Sequence, residues 1–213
     1  MKWSNSLAYA IGLITTDGSL SKDGRHLNLT SKDLDQIKTF SKIFNLKNKI
    51  GVKRSGYTKL RKYYFIQFGN VALYKFLMSL GLHPNKSKTL GELRIPNRYF
   101  SHFLRGYLDG DGYTYAYWDK RWTSSFRFYT GFVSASKMHL EWIKKRTYEL
   151  YGLRGRIKKG ARTYQLMYAK RNSIALQKIM YKGKEIVYLK RKKTKIDATI
   201  QIIEKQAKEH KFK

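Results

Sequence analysis

Gly106-Tyr107-Leu108-Asp109-Gly110-Asp111-Gly112 repeats the pattern of an earlier stretch, Gly12-Leu13-Ile14-Thr15-Thr16-Asp17-Gly18. Each stretch begins with a glycine, ends in Asp-Gly and follows an apolar run typical of a helix. The two final acids, Asp17 and Asp111, are 94 residues apart. We therefore interpret the chain as an imperfect internal repeat of two halves, each carrying one acidic motif.

The charge of the chain favours a polyanionic partner. Its 213 residues include 45 Lys and Arg against 14 Asp and Glu, a formal net charge of +31 spread from Lys2 to Lys213. Nucleic acid is the first candidate and an anionic membrane the second. The apolar runs are interrupted within about a dozen residues, too short to span a bilayer. We therefore expect a nucleic-acid partner and no membrane.

The rest of the composition narrows the chemistry and the location. The absence of cysteine excludes disulfides, thiolate zinc sites and a cysteine nucleophile, and the five histidines lack the spacing of metal ligands. The first motif helix is predicted to begin near Leu7, which leaves no room for a signal peptide. We expect a protein that is not secreted: cytoplasmic in a prokaryote or archaeon, or organellar if it is made inside an organelle.

Small residues recur every four positions in both motifs: Ala8, Gly12 and Thr16 in the first, Gly106 and Gly110 in the second. Such a stripe lets two helix backbones approach closely. We predict that the motif helices pack through Gly12 and Gly106, which would bring Asp17 and Asp111 side by side. Alternatively, Gly18 and Gly112 only cap two unrelated helices. Capping leaves unexplained why an Asp occurs twice at a helix C-terminus, where the helix dipole disfavours it.

Two adjacent carboxylates in a basic protein have a clear chemical use. Carboxylate oxygens bind Mg²⁺, and a bound metal ion activates a water nucleophile and stabilises the leaving oxygen of a phosphodiester. The pair therefore predicts metal-dependent phosphodiester hydrolysis.

The remaining pattern predicts an α+β fold of two similar halves. Pro84 and Pro96 bracket a polar segment, so we divide the chain into a half 1–82, a linker 83–97, a half 98–185 and a basic C-terminal helix or tail 186–213. Each half is predicted to run helix, strand, strand, helix, strand, strand, helix. In each half a strand precedes a Ser-Lys pair, in which Ser31 or Ser136 is the expected helix N-cap. The spacing from Lys32 to Lys137 is 105, which predicts an 11-residue insertion in the second half's first hairpin.

The motifs resemble those of the LAGLIDADG homing endonucleases, in the single-chain form with two copies. Ala10 to Gly18 and Leu104 to Gly112 occupy the nine-residue signature, with Thr15 replacing the inner acid of the first copy and Asp109 keeping it in the second. The resemblance extends over nearly the whole chain. It implies two pseudo-symmetric αββαββα halves that form a DNA-binding β-saddle, with the two motif helices packed at the centre.

The resemblance also implies roles for individual residues. Asp17 and Asp111 would be metal ligands, together with the carbonyls of Thr16 and Gly110, for Mg²⁺, with Mn²⁺ as a substitute and Ca²⁺ binding without cleavage. A polar–Lys pair found in family active sites matches Ser31-Lys32 and Ser136-Lys137, and a further lysine matches Lys170, with no counterpart in the first half. For each of these lysines, a solvated phosphate contact is an equally good interpretation.

The two-stranded ribbons are the predicted reading surface, because such a ribbon fits the major groove of DNA. Strand alternation predicts Leu27, Leu29, Phe126 and Phe128 in the core, with their neighbours facing outward. Many of the lysines would contact phosphates. Such contacts position the protein on the DNA but do not identify the base sequence. The candidate DNA-contacting residues are Arg25, His26, Asn28, Thr30, Lys53, Arg54, Lys59, Arg61, Tyr63, Gln67, Lys120, Arg121, Arg127, Tyr129, Arg154, Arg156, Lys158 and Gln165.

The sequence as a whole predicts a monomeric, sequence-specific, Mg²⁺-dependent endonuclease that cuts double-stranded DNA at a long asymmetric site. An intein setting is not expected, because the chain has no cysteine and ends in Phe212-Lys213; an intron-encoded enzyme fits better. Two other classes stay open: an RNA-binding intron maturase on the same fold, and a non-catalytic DNA-binding regulator. Retention of both acids favours the nuclease.

Overall fold

The two halves of the chain fold with the same order of elements. The computed structural model describes residues 1–54, 62–122, 125–183 and 186–209. The first half comprises α1 (Asn5–Asp17), β1 (Gly18–Leu20), β2 (His26–Ser31), α2 (Leu34–Ile43), β3 (Gly51–Arg54), β4 (Lys62–Gly69) and α3 (Val71–Ser79). After a short 3-10 helix (Asn97–Tyr99), the second comprises α4 (Phe100–Asp109), β5 (Gly112–Trp118), β6 (Phe126–Ser134), α5 (Lys137–Tyr151), β7 (Arg156–Lys159), β8 (Tyr164–Tyr168) and α6 (Lys170–Met180). A final helix, α7 (Lys190–Glu209), follows, and the predicted α+β fold class is confirmed.

Each half contains one four-stranded antiparallel sheet. The strand orders are β1-β2-β4-β3 and β5-β6-β8-β7, so the two sheets have the same topology. Along the central strands, buried and partly exposed side chains alternate, because successive residues point to opposite faces of a sheet. Leu27, Leu29, Phe126 and Phe128 lie in the core, as predicted. The opposite face of each sheet carries polar and aromatic side chains.

The two motif helices lie against each other at the centre of the molecule. Every residue of α1 from Leu7 to Thr15 is buried, as expected for a helix that is apolar on all sides. A Cβ atom at Gly12 would lie 2.3 Å from the carbonyl oxygen of Phe103, and one at Gly106 would lie 2.0 Å from that of Tyr9. The backbones touch at these glycines, so neither position has room for a side chain.

Helix capping does not account for the motif glycines. Gly18 follows α1 in an extended conformation, with φ −91° and ψ 153°, and α4 is followed by Gly110, whose φ is −75°. Neither residue adopts the left-handed conformation that makes glycine the preferred cap. Gly18 and Gly112 instead begin strands, and a Cβ atom at either would lie within 2.6 Å of the preceding helix.

The strand register corrects the predicted alignment of the two halves. Gly18 pairs with Leu29, and Gly112 pairs with Phe132, so equivalent residues of β2 and β6 are 103 positions apart. The insertion in the second half's hairpin is therefore nine residues, and the prediction of 11 was wrong. The residues equivalent to Ser31-Lys32 are Ser134-Ala135. The same hydrogen bond marks both sites: the amide of Asp33 donates to Ser31 Oγ, and that of Ser136 donates to Ser134 Oγ, each at 3.1 Å.

Several predicted element boundaries also differ from the observed ones. The N-cap of α2 is Asp33 and not Ser31, whereas Ser136 does cap α5 by accepting a hydrogen bond from the amide of His139. Residue Arg154, predicted on a ribbon, precedes β7. Helix α6 begins at Lys170, so this predicted active-site lysine is the first residue of a helix.

The segment between the halves is packed into the core. It contains no helix or strand from residue 83 to residue 96, but Leu90, Leu93 and Ile95 are buried. Ser136 Oγ donates to the Leu90 carbonyl at 2.5 Å, and His139 Nδ1 lies 2.7 Å from that of Gly91. These contacts hold the segment against α5. The proposed boundaries of the four segments remain predictions.

No helix within the described ranges is long and apolar enough to cross a membrane.

Candidate active site

Asp17 and Asp111 line the same cleft at the ends of the two motif helices. Asp17 is the last residue of α1, and Asp111 follows α4 by two residues. The cleft has a volume of about 780 Å³. A Cβ atom at Gly110 would lie 1.9 Å from Thr16 Oγ1 and 2.8 Å from Asp17 Oδ2, so the two motif ends are in direct contact. Close packing of the glycines thus brings together two carboxylates that are 94 residues apart in the sequence.

The acid pair is electrostatically strained. Burial raises the pKa of Asp17 to about 7, with a further contribution from the negative charge of Asp111, while Lys192 and Lys86 oppose the shift. Burial also raises the pKa of Asp111, against the same two lysines. Removing water from carboxylates and placing them side by side both disfavour their ionised forms. A cation bound between them would relieve both effects.

The donor atoms in the cleft suit a hard divalent cation. The protein offers two carboxylates, and the predicted carbonyl ligands belong to the neighbouring residues Thr16 and Gly110. No group of three or more His, Cys, Asp or Glu suited to metal binding occurs in the described part of the chain. The remaining ligands would be waters and phosphate oxygens. This is the manner in which Mg²⁺ binds in phosphoryl-transfer sites, through one or two carboxylates plus the substrate.

Two lysines that are not among the predicted site residues lie beside the acid pair. Lys86, from the segment between the halves, donates to the carbonyl of Gly18. Lys192, from α7, donates to the carbonyls of Leu108, Gly110 and Gly112 at 2.6, 3.0 and 2.7 Å. Gly18 and Gly112 are equivalent positions, so each half receives one ammonium group at the end of its own motif. Burial lowers the pKa of each lysine to about 8, and in both cases Asp17 and Asp111 oppose the shift.

No local signal in the sequence identifies these lysines. Lys86 lies in a polar stretch that reads as a linker, and Lys192 lies in the basic run Lys190-Arg191-Lys192-Lys193. Among 45 basic residues neither is distinctive. Lys86 and Lys192 lie close to the motifs only because the segments that follow α3 and α6 fold back toward them.

Asp109, the inner acid of the second motif, anchors the segment that carries Lys192. Its Oδ2 atom accepts hydrogen bonds from Tyr9 Oη at 2.8 Å and from the amide of Leu189 at 2.7 Å. Burial raises its pKa to about 6, against these two hydrogen bonds. At the corresponding position of the first motif, Thr15 donates to its own helix, to the carbonyl of Ile11 at 2.7 Å. The second motif therefore uses its extra acid to hold the start of α7 over the cleft.

Comparison of the whole fold with known proteins identifies its architecture. No family model matches the sequence, and no curated protein does. Among solved structures, the homing endonuclease I-WcaI bound to its DNA recognition sequence aligns with a TM-score of 0.62 and 13% identity over 84% of this chain and 82% of that one. I-DmoI in complex with DNA and Ca aligns with a TM-score of 0.59 and 18% identity over 89% and 96%. The N-terminal LAGLIDADG domain of WhiA gives a TM-score of 0.57 and 12% identity over 86% and 85%.

The protein has the LAGLIDADG fold.

Within this LAGLIDADG fold, the predicted catalytic residues separate into two groups. Ser31 and Lys32 line the cleft, and Ser31 Oγ donates to Gln36 Oε1 at 2.7 Å. Ser136, Lys137 and Lys170 do not line it. Ser136 is the buried cap of α5, and Lys137 is exposed and lies 3.1 Å from Glu141. Lys170 begins α6, where burial lowers its pKa with a smaller effect from Arg127. The match of Ser136-Lys137 to Ser31-Lys32 therefore no longer supports an active-site role for Ser136 and Lys137.

Most predicted DNA-contacting residues lie on the outer faces of the two sheets of the LAGLIDADG fold. On the first sheet these are His26, Asn28, Thr30, Lys53, Tyr63 and Gln67; on the second they are Arg127, Tyr129, Arg156, Lys158 and Gln165. Arg25, Lys120, Arg121 and Arg154 lie in the connections, and Arg54 ends β3. Lys59 and Arg61 are outside the described residues. Arg121 and Arg127 both form ion pairs with Asp119, and these pairs stabilise the longer first hairpin of the second half.

Proposed function

We propose that this protein is a divalent-metal-dependent, sequence-specific endonuclease that cuts both strands of DNA as a monomer. The observation that carries the proposal is the meeting of Asp17 and Asp111 in one cleft, at the junction of two strongly basic halves. A pair of carboxylates has no evident structural use there, since burial and mutual repulsion disfavour their charged forms. The pair makes sense when a cation and a phosphodiester share the site.

Residues in the cleft and just behind it have separate roles in metal binding and charge stabilisation. Asp17 and Asp111 would hold Mg²⁺, with the carbonyl of Thr16 beside them. The carbonyl of Gly110, the other predicted ligand, already accepts a hydrogen bond from Lys192 at 3.0 Å and would bind the metal through its second lone pair. When bound, the metal ion lowers the pKa of a coordinated water and stabilises the leaving oxygen. Lys86 and Lys192 keep two positive charges fixed beside the acids, where negative charge develops on the phosphate. Ser31 and Lys32 border the cleft on the side of the first sheet.

The proposal also covers the binding partner, the metal ion, the monomeric state and the intron-encoded origin of the protein. I-WcaI is described bound to its DNA recognition sequence, and I-DmoI in complexes with DNA and Mn or Ca. Double-stranded DNA as partner and a divalent metal ion as cofactor agree with these complexes. Mg²⁺ as the active ion, Mn²⁺ as its substitute and Ca²⁺ binding without cleavage belong to the proposal. Both halves belong to one chain and differ in their hairpins, which suits a monomer on an asymmetric site. An intron-encoded origin agrees with this organisation.

Two non-nuclease functions use the same fold without needing the acid pair. WhiA has a LAGLIDADG domain in its N-terminal part, and a DNA-binding regulator on this fold needs basic sheets but no metal. An RNA-binding maturase also needs only the binding surfaces. We favour the endonuclease because both carboxylates are present and face one cleft.

The endonuclease proposal predicts cleavage that depends on a divalent cation. Duplexes that bind the protein can be selected from a random pool in Ca²⁺, which is expected to allow binding without cutting. The selected duplexes should be cut on both strands when Mg²⁺ replaces Ca²⁺, and should stay intact in EDTA. Denaturing gels with each strand labelled measure both cuts. Tight selection of a site without any cleavage in Mg²⁺ or Mn²⁺ would point to a regulator, and retention of RNA alone would point to a maturase.

Lys192, near the start of α7, gives a second prediction. Lys192→Met keeps the length of the side chain but removes three hydrogen bonds to motif carbonyls and one positive charge beside the acids. Loss of one such preorganised charge typically costs about a hundredfold in rate, so we expect cleavage of a selected duplex to slow by that order. Lys190→Met is the matched control, because Lys190 is an exposed residue of the same helix. Equal single-turnover rates for the two variants would remove Lys192 from the site.

A further inference from the structure

Four tyrosines form a row on the outer face of the second sheet. Tyr113, Tyr115 and Tyr117 alternate along β5 and therefore share one face. Tyr129 on β6 is the direct cross-strand partner of Tyr115 and completes the row. We call these four residues the tyrosine ladder.

The rings of the ladder pack on one another. Tyr115 and Tyr129 have ring centroids 4.9 Å apart and planes 14° apart. Tyr115 and Tyr117 lie 5.9 Å apart at 3°, and Tyr117 and Tyr129 lie 6.4 Å apart at 12°. Near-parallel rings at these distances cover part of one another's faces. What the ladder offers a partner is therefore ring edges and hydroxyls, and Tyr115 and Tyr117 remain 37% and 43% exposed.

This geometry favours a duplex groove over an unpaired strand. Single-stranded nucleic acid is bound by stacking its bases on free aromatic faces, and here the neighbouring tyrosines cover part of those faces. Ring edges instead suit contact with the edges of paired bases. The apolar feature of a base edge is the thymine methyl group, which projects into the major groove.

The ladder is continuous with the cleft that holds the acid pair. Tyr113 lines that cleft, two residues after Asp111, and its hydroxyl donates to Gln165 Oε1 at 2.8 Å. At the other end of the ladder, Tyr117 is paired across the strands with Arg127. A duplex whose scissile phosphate lies at Asp111 would thus pass over the ladder, with basic side chains beside it for the phosphates.

The equivalent face of the first sheet carries fewer aromatic side chains, Tyr63 and Phe65, among polar ones. Thr30 Oγ1 donates to Asn28 Oδ1 at 3.0 Å and accepts from Lys53 Nζ at 3.2 Å. His26 and Gln67 continue this polar face. Polar side chains of this kind read base edges by hydrogen bonds. The two halves therefore present a mixed, mainly polar surface on one side of the acid pair and a mainly aromatic surface on the other.

We propose that the tyrosine ladder recognises thymine methyl groups, so that the half of the target contacted by the second sheet is rich in A·T pairs. The inference rests on the proposed endonuclease function and assigns a specificity to one half of its site. Removing one methyl group from a dry contact is expected to weaken binding about fourfold. Tyrosine hydroxyls both donate and accept, so they add affinity with little discrimination.

Replacing thymine by deoxyuridine tests the proposal, because this change removes only the methyl group. Duplexes are selected from a random pool in Ca²⁺, and each thymine of the selected site is then replaced in turn. We expect losses of about fourfold per contacted methyl, confined to one half of the site. The double variant Tyr115→Ser, Tyr117→Ser should lose this methyl dependence, whereas Tyr115→Phe, Tyr117→Phe should keep it because the rings remain. Melting curves establish that both variants are folded.

The outcomes separate this inference from the function on which it rests. If the selected duplexes are cut in Mg²⁺ but deoxyuridine leaves their affinity unchanged, the ladder does not read thymine and the endonuclease proposal stands. Equal methyl dependence in the Ser and Phe variants would likewise overturn the ladder's role. If no duplex is selected or cut, both proposals fall together.

Discussion

Asp17→Asn and Asp111→Asn should each abolish double-strand cleavage while leaving DNA binding within about tenfold of the parent. Asparagine keeps the size of the side chain but removes the negative charge that attracts a divalent cation. Metal-ion stabilisation of the transition state is worth several kcal/mol, so a fall of at least about a thousandfold in rate is expected. Single-turnover cleavage of a selected duplex, with affinity measured in Ca²⁺, checks both halves of this expectation.

The thermal stability of the Asn variants provides the control. Burial and the charge of Asp111 both raise the pKa of Asp17, so the ionised acid is unfavourable in the folded protein. Neutralising one acid should therefore leave the melting temperature unchanged or raise it slightly, as is common for strained functional sites. Full cleavage by either variant would overturn the assignment of the acid pair. A large loss of stability would show instead that the acids hold the helices together.

Gly106→Leu and Gly12→Leu should reduce stability and cleavage together. A Cβ atom at Gly106 already falls 2.0 Å from the Tyr9 carbonyl oxygen, so any side chain must push α1 and α4 apart. Overpacking of this kind costs about 1–3 kcal/mol or more, and a chain of this size loses about 2–4 °C of melting temperature per kcal/mol. A displacement of about 1 Å at the acids can cost a further hundredfold in rate. Melting curves and cleavage rates measure the two effects.

Matched alanine substitutions isolate the backbone contact. Gly106→Ala adds one carbon where the helices touch, whereas Gly91→Ala adds the same carbon where no atom lies within 4 Å. We expect the first to be clearly destabilised and the second to melt close to the parent. Parent-like melting and cutting by Gly106→Ala and Gly106→Leu would mean that the helices do not need this contact, and the shared cleft would have to be abandoned.

The central features of the fold could be read from local sequence. The four-residue recurrence of small side chains carries the information for helix contact, because only glycine lets two backbones approach so closely. The alternation in β2 and β6 identified Leu27, Leu29, Phe126 and Phe128 as core residues, because side-chain direction in a strand follows sequence parity. Both patterns are local, and the fold retains them.

The errors arose where the two halves differ in length. Ser136-Lys137 resembles Ser31-Lys32 in sequence, but the cross-strand pairs of Gly18 and Gly112 make Ser134 the equivalent of Ser31. A hairpin insertion shifts the apparent register of a repeat, and residue similarity alone cannot locate the compensating positions. The hydrogen bonds between strands identify the equivalent residues, because register determines which residues face each other.

The sequence by itself determined the fold class, the internal repeat and the two acids that the repeat singles out. Tertiary structure alone decided what surrounds them: Lys86 and Lys192 beside the motif carbonyls, Asp109 under the start of α7, and a row of tyrosines leading away from the cleft. The physical reason is the range of the interactions. Helix stripes and strand alternation are set by neighbours within a few residues, whereas each of the two lysines reaches its motif from 68 or more residues away, through packing that no local pattern encodes.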